Sequence, residues 1–440
     1  MRIGLIAMSG LRVMNPDLAE LGITLPQFLS RGKVIAQLPS LALLILAACT
    51  PDDVEVEYHE LTDLPAGELP SGFDLVAISS YTAMAYEMYE LADRYRALGV
   101  PVVLGGLHVS QVPEEAKQHA DAVCVGEAET TWARIVGDFQ RGGKEGLQGY
   151  YREEKPGTYD LAHSPMPRYD LLSQEAYDRI TVQTSRGCPW DCEFCGASKL
   201  YGPRYRQKPV EKVIAEIHRI KELTSGRAFI ELADDNTFTN PKYTRRFLEQ
   251  LQDLDIHWFT ETDISVADDE ALLDLLYTSG CRQVLIGLES PRAASLDGMD
   301  AVNWKHKQSD RYLDAIQTIQ SHGVTVNGCF IVGNDGEDEG VFEDIRAFVE
   351  KSELLECQVT VLTPFPGTRL LTRLQREERL LFDRFWNRCT LFDVVFRPSH
   401  MTPEQLEAGH RWLMEELYTD EVTHRRRRHY VDIVKALIPD

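Results

Sequence analysis

Arg186-Gly187-Cys188-Pro189-Trp190-Asp191-Cys192-Glu193-Phe194-Cys195 decides how this chain is to be read. Its three cysteines, spaced Cys-x3-Cys-x2-Cys, sit in a loop behind a strand-like run at residues 181–185. Thiolates this close along the chain can converge on one soft metal centre. A cubane iron-sulfur cluster needs one ligand for each iron, so three cysteines leave one iron open to bind and activate a ligand. Zinc would want a fourth Cys or His, and the nearest histidines are His163 and His218. Three unrelated thiols are the remaining alternative.

Downstream of this loop, strands and helices alternate. Helices are expected at residues 210–223, 243–254, 269–279, 309–322 and 339–351, and strands at 228–233, 257–261, 283–289, 325–332 and 357–362. With 181–185 this makes six strand-helix units, too few for a closed eight-fold barrel, with the functional strand ends on one face. Four turns fall on that face: Asp234-Asp235-Asn236, Ile286-Gly287-Leu288-Glu289-Ser290, Gly328-Cys329-Phe330-Ile331-Val332-Gly333 and Thr363-Pro364-Phe365-Pro366-Gly367-Thr368. Acids at strand ends also cap helices and glycines also serve turns, so each turn has a purely architectural reading as well.

Upstream, strands are expected at residues 2–8, 54–60, 74–79, 101–104 and 122–125, with a loop over 9–31 and helices at 41–49, 81–98, from 113, and through 139. This alternation implies a doubly wound parallel sheet, whose ligands bind at the carboxyl ends of the strands. Those ends carry the loops 79–82, 105–108 and 126–129. Neither a Gly-x-Gly-x-x-Gly fingerprint nor a Walker motif is present, which argues against a dinucleotide or ATP. Residues 141–179, rich in Gly, Pro and charge, read as a surface linker. The apolar run 41–49, ending in Cys49, imitates a lipoprotein signal. It starts forty residues into the chain and is too short to span a bilayer, so a buried helix is expected.

The chain has 440 residues, 43% of them apolar and 26% charged, which suits a folded protein of two or three domains. Lys and Arg number 46 against 69 Asp and Glu, a net charge of −23 that disfavours nucleic acid or an anionic membrane as the main partner. Nine cysteines cannot all pair and read as reduced thiols in the cytoplasm. Beyond the three of the loop, Cys49, Cys124, Cys281, Cys329, Cys357 and Cys389 are expected to pack as small hydrophobes. Near the end, residues 404–417 form an amphipathic helix, and the run His424-Arg425-Arg426-Arg427-Arg428-His429 reads as a solvated helix face, with a site for an anionic substrate or partner as the alternative.

The stretch from Arg186 to Cys195 resembles the signature of the radical S-adenosylmethionine (radical SAM) enzymes. The resemblance implies that Cys188, Cys192 and Cys195 hold a 4Fe-4S cluster whose open iron binds S-adenosylmethionine, and that Phe194 lies beside the adenine. It implies further contacts to S-adenosylmethionine from Asp234, Asp235, Glu289, Gly328 and Gly333, although the family's Gly-Gly-Glu is missing near Asp234. Residues 1–140 resemble the cobalamin-binding domain that precedes the radical domain in one large subfamily, which implies cobalamin contacts at Ser80, Thr82, Gly105, Gly106, Gly126 and Glu127. No Asp-x-His-x-x-Gly follows the first strand, so no protein histidine is expected on the lower face of cobalamin. The implied architecture is α/β: a Rossmann-like cobalamin-binding sheet over 1–140, a linker over 141–179, a partial (β/α)6 TIM-type barrel over 180–366 and a mainly helical segment over 367–440. The implied activity is reductive cleavage of S-adenosylmethionine and removal of hydrogen from an unactivated carbon, which no side-chain base can deprotonate near neutral pH. Cobalamin-dependent C-methylation of a small-molecule or lipid-like substrate is the leading expectation. Radical tailoring without methyl transfer (cyclisation, ring contraction or oxidation) and a non-enzymatic iron-sulfur or zinc protein are the alternatives. An external one-electron reductant such as flavodoxin or ferredoxin is implied, and no membrane span is expected.

Overall fold

Two parallel sheets of six strands each organise the molecule. The computed structural model describes residues 1–9, 13–16, 18, 38–155, 157–173, 177, 179–197, 201, 204–226 and 229–437. The loop expected over residues 9–31 lies almost wholly outside the described residues, as does residue 228 of an expected strand.

The first sheet contains β1 (Arg2–Met8), β2 (Glu55–Leu61), β3 (Leu75–Ser80), β4 (Val102–Gly105), β5 (Ala122–Val125) and β6 (Tyr150–Arg152), in the spatial order β2-β1-β3-β4-β5-β6. Its central strands are apolar on both faces because helices cover both. Ile6, Val76, Ile78 and Leu104 pack with the helix Ala85–Ala97, while Ile3, Leu5, Leu75 and Val103 pack with Leu41–Ala48 and Glu129–Gly146. The apolar run after Pro39 is therefore a buried helix, and no described helix is long and apolar enough to cross a membrane. The sixth strand comes from residues read as linker. It has one buried residue, Tyr151, whose hydroxyl donates to Asp138 Oδ2 at 2.8 Å, and three residues are too few to show a period. The order in which strands are added reverses between β1 and β3, which opens a crevice at the carboxyl ends of these parallel strands.

The second sheet contains β7 (Arg179–Val182), β10 (Phe229–Leu232), β11 (Trp258–Thr262), β12 (Cys281–Glu289), β13 (Thr325–Val332) and β14 (Glu356–Val361), each parallel to the next, in simple sequential order. It is the expected partial barrel, open between β7 and β14. Alternate residues such as Ile180, Ile230, Trp258, Val284, Val326 and Val359 are buried in the apolar core. The intervening positions carry polar groups: Arg179 pairs with Glu231 at 2.8 Å, Gln283 donates to Glu356 at 3.1 Å, and Cys329 Sγ approaches Gln358 Oε1 at 3.7 Å. A parallel sheet built only for stability would be apolar on both faces, so the polar face marks a working interior. Cys329 belongs to that interior, unlike Cys124, Cys281, Cys357 and Cys389, which are buried.

The C-terminal helices Pro403–Leu417 and Asp420–Leu437 pack against the barrel. The second contains the basic run, which is not a wholly solvated face. Arg426 is buried, its Nη1 lies 3.3 Å from Cys357 Sγ and its Nη2 donates to Leu417 O, while Arg425, Arg427 and Arg428 remain exposed.

Candidate active site between the two sheets

A small antiparallel clasp closes the base of the cysteine loop: β8 (Ser185–Arg186) pairs with β9 (Arg206–Gln207). Barrel loops hold the loop from the side. Gly187, at φ 88°, donates its N–H to Asp235 Oδ2 at 3.1 Å. Trp190 stacks on Trp304 at 4.5 Å and donates to Asp263 Oδ2 at 2.9 Å. Glu193 donates its N–H to Met299 O at 2.9 Å and pairs with Arg373 at 2.7 Å. Phe194 packs half-buried against the barrel core.

Cys188, Cys192 and Cys195 are half-buried along this loop. Burial pushes the Cys188 thiol up to about 11, and the Cys195 thiol adds to the rise. Burial likewise raises Cys192 to about 12, with Glu289, Cys195 and Cys188 adding and Lys305 opposing. The thiols thus sense one another. The loop brings them together without drawing their sulfurs onto one point, and among the described residues no three His, Cys, Asp or Glu side chains form a metal-holding group. Their chemistry fits an iron-sulfur cluster with one open iron: three soft donors, with a positive metal centre supplying the charge that favours thiolate.

The acids at the barrel mouth differ in what they do. Asp234 Oδ1 accepts the N–H groups of Thr184 at 2.8 Å and Ser185 at 2.9 Å, and Oδ2 accepts the hydroxyls of Thr184 and Thr237. Its own chain occupies both oxygens, so it fixes the strand end and leaves no oxygen over for a ligand. Asp235 is half-buried; burial, opposed by the Gly187 N–H and helped by Asp234, raises it to about 6. Glu289, left-handed at φ 63°, ends β12 and forms a buried ion pair with Lys305 at 2.7 Å. Lys305 also donates to Gly287 O at 2.8 Å. Burial opposes its charge, but Glu289 and Cys192 outweigh burial and raise it.

Two expected contacts face away from this mouth. A Cβ on Gly328 would meet Leu354 at 2.7 Å and Leu288 at 3.0 Å, so its open side faces the helical layer. Gly333, at φ 98°, would meet Leu406 at 3.0 Å and Phe396 at 3.1 Å, and its N–H donates to the buried Glu337 at 2.9 Å. Period-two alternation explains Gly328: it shares the outward phase of β13 with Val326 and Phe330.

Across from the cysteine loop, the carboxyl ends of β3, β4 and β5 border a cavity of about 110 Å³. Ser79, Gly105, Gly106, Gly126 and Glu127 line it, with an apolar wall from Leu43, Leu46 and Trp132. Gly106 and Gly126 have φ values of 101° and 90°, where only glycine is unstrained. Gly105 is different: a Cβ there would meet only Cys124, at 3.6 Å and beyond. Among the described residues that line it there is no histidine. Ser80 and Thr82 do not line the cavity; Ser80 donates to Met88 Sδ at 3.2 Å and Thr82 is buried in a tight turn. Adjacent strand residues point to opposite faces, which puts Ser79 in the place expected of Ser80.

Several groups escaped sequence reading. Lys305 comes from an irregular stretch with no periodicity to mark it. Glu261 lies in an expected strand, reached by solvent through the barrel mouth yet walled by protein. Burial raises it to about 8, and Glu231, Asp235 and Asp234 add to that. Arg186, the first residue of the cysteine motif, donates from Nη1 to Glu127 and from Nη2 to Glu129, both at 2.6 Å. Arg206 donates to both oxygens of Glu127 at 2.9 Å. The Glu127 carboxylate, expected on cobalamin, is therefore spent between two arginines.

Comparison with known proteins divides the chain into two matched families. Residues 31–136 match the B12 binding domain and residues 182–349 the radical SAM superfamily. An uncharacterized methyltransferase of Pyrococcus horikoshii is 30% identical over 84% of this chain and 85% of its own length. A bacteriochlorophyllide d C-12(1)-methyltransferase of Chlorobaculum tepidum is 27% identical over 81% of this chain and 77% of its own. The solved structure of the radical S-adenosylmethionine methyltransferase TsrM from Kitasatospora setae, with cobalamin and an iron-sulfur cluster bound, shares the fold at a TM-score of 0.70 and 16% identity, covering 96% of this chain and 90% of that one. The chain belongs to the radical SAM superfamily, in the branch whose members carry a B12 binding domain ahead of the radical SAM domain.

Proposed function

We propose that the protein is a cobalamin-dependent radical SAM methylase that transfers a methyl group to an unactivated carbon of a small-molecule or lipid-like substrate. The observation that carries this reading is a shared wall: Arg186 and Tyr201, on either side of the three cysteines, also line the glycine-bordered cavity of the first sheet. Cys188, Cys192 and Cys195 hold the cluster; Asp235 and Glu289 accept from the polar groups of S-adenosylmethionine, and Lys305 offers it a cation. Gly105, Gly106 and Gly126 allow cobalamin to approach the backbone. When bound, these groups supply the one-electron cleavage of S-adenosylmethionine and the methyl group, with electrons from an external carrier such as flavodoxin or ferredoxin.

The chain's own part is to orient and to shield. Lys305 neutralises Glu289 beside the cysteine loop, so this carboxylate does not add to the negative charge of the mouth. Glu261 faces the barrel mouth, where burial and the carboxylates of Glu231, Asp235 and Asp234 favour its protonated form. Anaerobic reconstitution tests the reading. The expected result is a 4Fe-4S spectrum, bound cobalamin, dithionite-dependent 5'-deoxyadenosine and S-adenosylhomocysteine. Cys192→Ala should abolish cluster assembly while the fold persists by circular dichroism. Normal iron content in that variant, or no S-adenosylmethionine cleavage with an intact cluster, would contradict the reading.

A further inference from the structure

Four charged side chains meet where the first sheet touches the cysteine loop. Glu127 and Glu129 follow β5; Arg186 and Arg206 are paired across the clasp that closes the loop. Their side chains are 1%, 5%, 6% and 8% exposed, so the group has almost no access to water. Arg186 uses its whole guanidinium: Nε donates to Gln183 Oε1 at 2.7 Å, Nη1 to Glu127 and Nη2 to Glu129. Arg206 Nη1 donates to Glu127 and, at 2.8 Å, to Tyr159 O. Two cations and two anions balance; Glu127 accepts from Nη1 of both arginines and Glu129 from Arg186 Nη2, all charge-assisted bonds.

Such a group is costly to assemble away from water, and well-packed apolar residues of similar volume could serve the contact equally well. What ion pairs add is direction: they set the register of one loop against another. Arg186 lies two residues before Cys188, and Glu127, Glu129 and Arg186 all line the cavity of the first sheet, with the Arg186 guanidinium 5.4 Å from the centre of the Tyr201 ring on the same wall. A molecule filling that cavity rests on the charges that hold the cysteine loop.

We propose that Glu127, Glu129, Arg186 and Arg206 are positioning residues that couple the cobalamin cavity to the cysteine loop, so that occupancy of the cavity is felt at the three thiols. This rests on the reading that the cavity takes cobalamin. The coupling is reciprocal, as thermodynamic linkage requires: cobalamin steadies the loop, and a loaded loop tightens cobalamin.

The test uses the full-length protein under anaerobic conditions, with hydroxocobalamin as the probe. In cluster-free protein, alkylation of Cys188, Cys192 and Cys195 is followed by peptide mass spectrometry with and without cobalamin. Cobalamin is expected to slow labelling of these three at least about fivefold, the lower end of usual coupling strengths. In Arg206→Gln, at the one member of the group that does not line the cavity, protection should fall while circular dichroism and cobalamin absorbance show a folded, cobalamin-binding protein; Arg206→Lys should restore part of it. Cobalamin affinity measured on wild-type protein with and without the cluster gives a second readout that needs no variant. Cobalamin bound to wild type without protection of the thiols, or equal affinity with and without the cluster, would overturn the coupling and leave the reading of the cavity intact. A failure of cobalamin to bind wild type would overturn both.

Discussion

Glu289 occupies a backbone conformation that costs a non-glycine residue about 1–2 kcal/mol. Its pairing with β13 shifts between Gly287 and Glu289, and the absence of a Cβ at Gly287 leaves room for both the Glu289 carboxylate and the Lys305 ammonium. Strain at this strand end turns the carboxylate toward the cysteine loop. Glu261, two strand positions from the mouth, has no such partner to offset its neighbours. Burial first, then the carboxylates of Glu231, Asp235 and Asp234, lift it from the ordinary 4.5 to about 8. The folded chain then binds this proton more tightly than the unfolded chain. The group's cost is absent below about pH 4.5, grows as pH rises through the window, and is complete above about pH 8. Glu261→Gln should therefore raise the melting temperature relative to wild type near pH 9 and change it little near pH 5. Thermal unfolding of the cofactor-free protein at the two pH values checks this; an equal difference at both would remove Glu261 as the source of the slope.

At the scale of elements, the two glycines of the loop after β4 have separate jobs. Gly106 is bound by its φ of 101°, and a Cβ would come within 2.5 Å of Ser79 Oγ, so Gly106→Ala should cost about 2 kcal/mol in urea unfolding. Gly105→Ala should leave stability within about 0.5 kcal/mol of wild type, because its Cβ would meet Cys124 only at ordinary distance. If the cavity takes cobalamin, Gly105→Ala should nonetheless weaken cobalamin binding, measured by absorbance titration; unchanged affinity would place the ligand away from that strand end. All strands of the two sheets but β6 were legible in the sequence, because short apolar-rich runs alternate regularly with helical patterns and are bounded by turn residues. What period and composition cannot carry is phase. Ser79 and Ser80 are equivalent in sequence, yet one faces the cavity and the other Met88. Gly328 looked like a ligand contact but faces the helical layer, and Asp234 looked available but is consumed by Thr184, Ser185 and Thr237. Lys305 and the Arg186–Glu127–Arg206 contacts join segments far apart in sequence, where no local signal exists.

The molecule as a whole must hold two sheets at a fixed separation for one site to form between them. The buried ions do part of this, and losing one member would strand a charge at a cost of about 3–5 kcal/mol. The C-terminal segment does another part. Trp386 packs against the apolar cores of both sheets. Its Nε1 donates to the Glu115 carboxylate at 3.1 and 3.2 Å, and its ring meets His108 edge-on at 5.6 Å. His108, buried and hydrogen-bonded to Tyr89, is depressed to about 4 by burial and stays neutral, so this contact is apolar and uncharged at physiological pH. Trp386 thus straps the barrel's tail to the first sheet, beside Arg384, which lies over the Tyr86 ring at 4.8 Å. Trp386→Ala removes apolar surface from both sides at once and takes one donor from Glu115, a loss of about 3 kcal/mol. Because that loss falls on the junction, calorimetry should show the cooperative melt dividing into two transitions, with the first sheet melting earlier. Trp412→Ala, at a tryptophan 37% exposed on the C-terminal helix Pro403–Leu417, is the control and should melt as wild type does. One undivided transition at the wild-type temperature in Trp386→Ala would mean that the ion cluster and the loops hold the sheets without the strap.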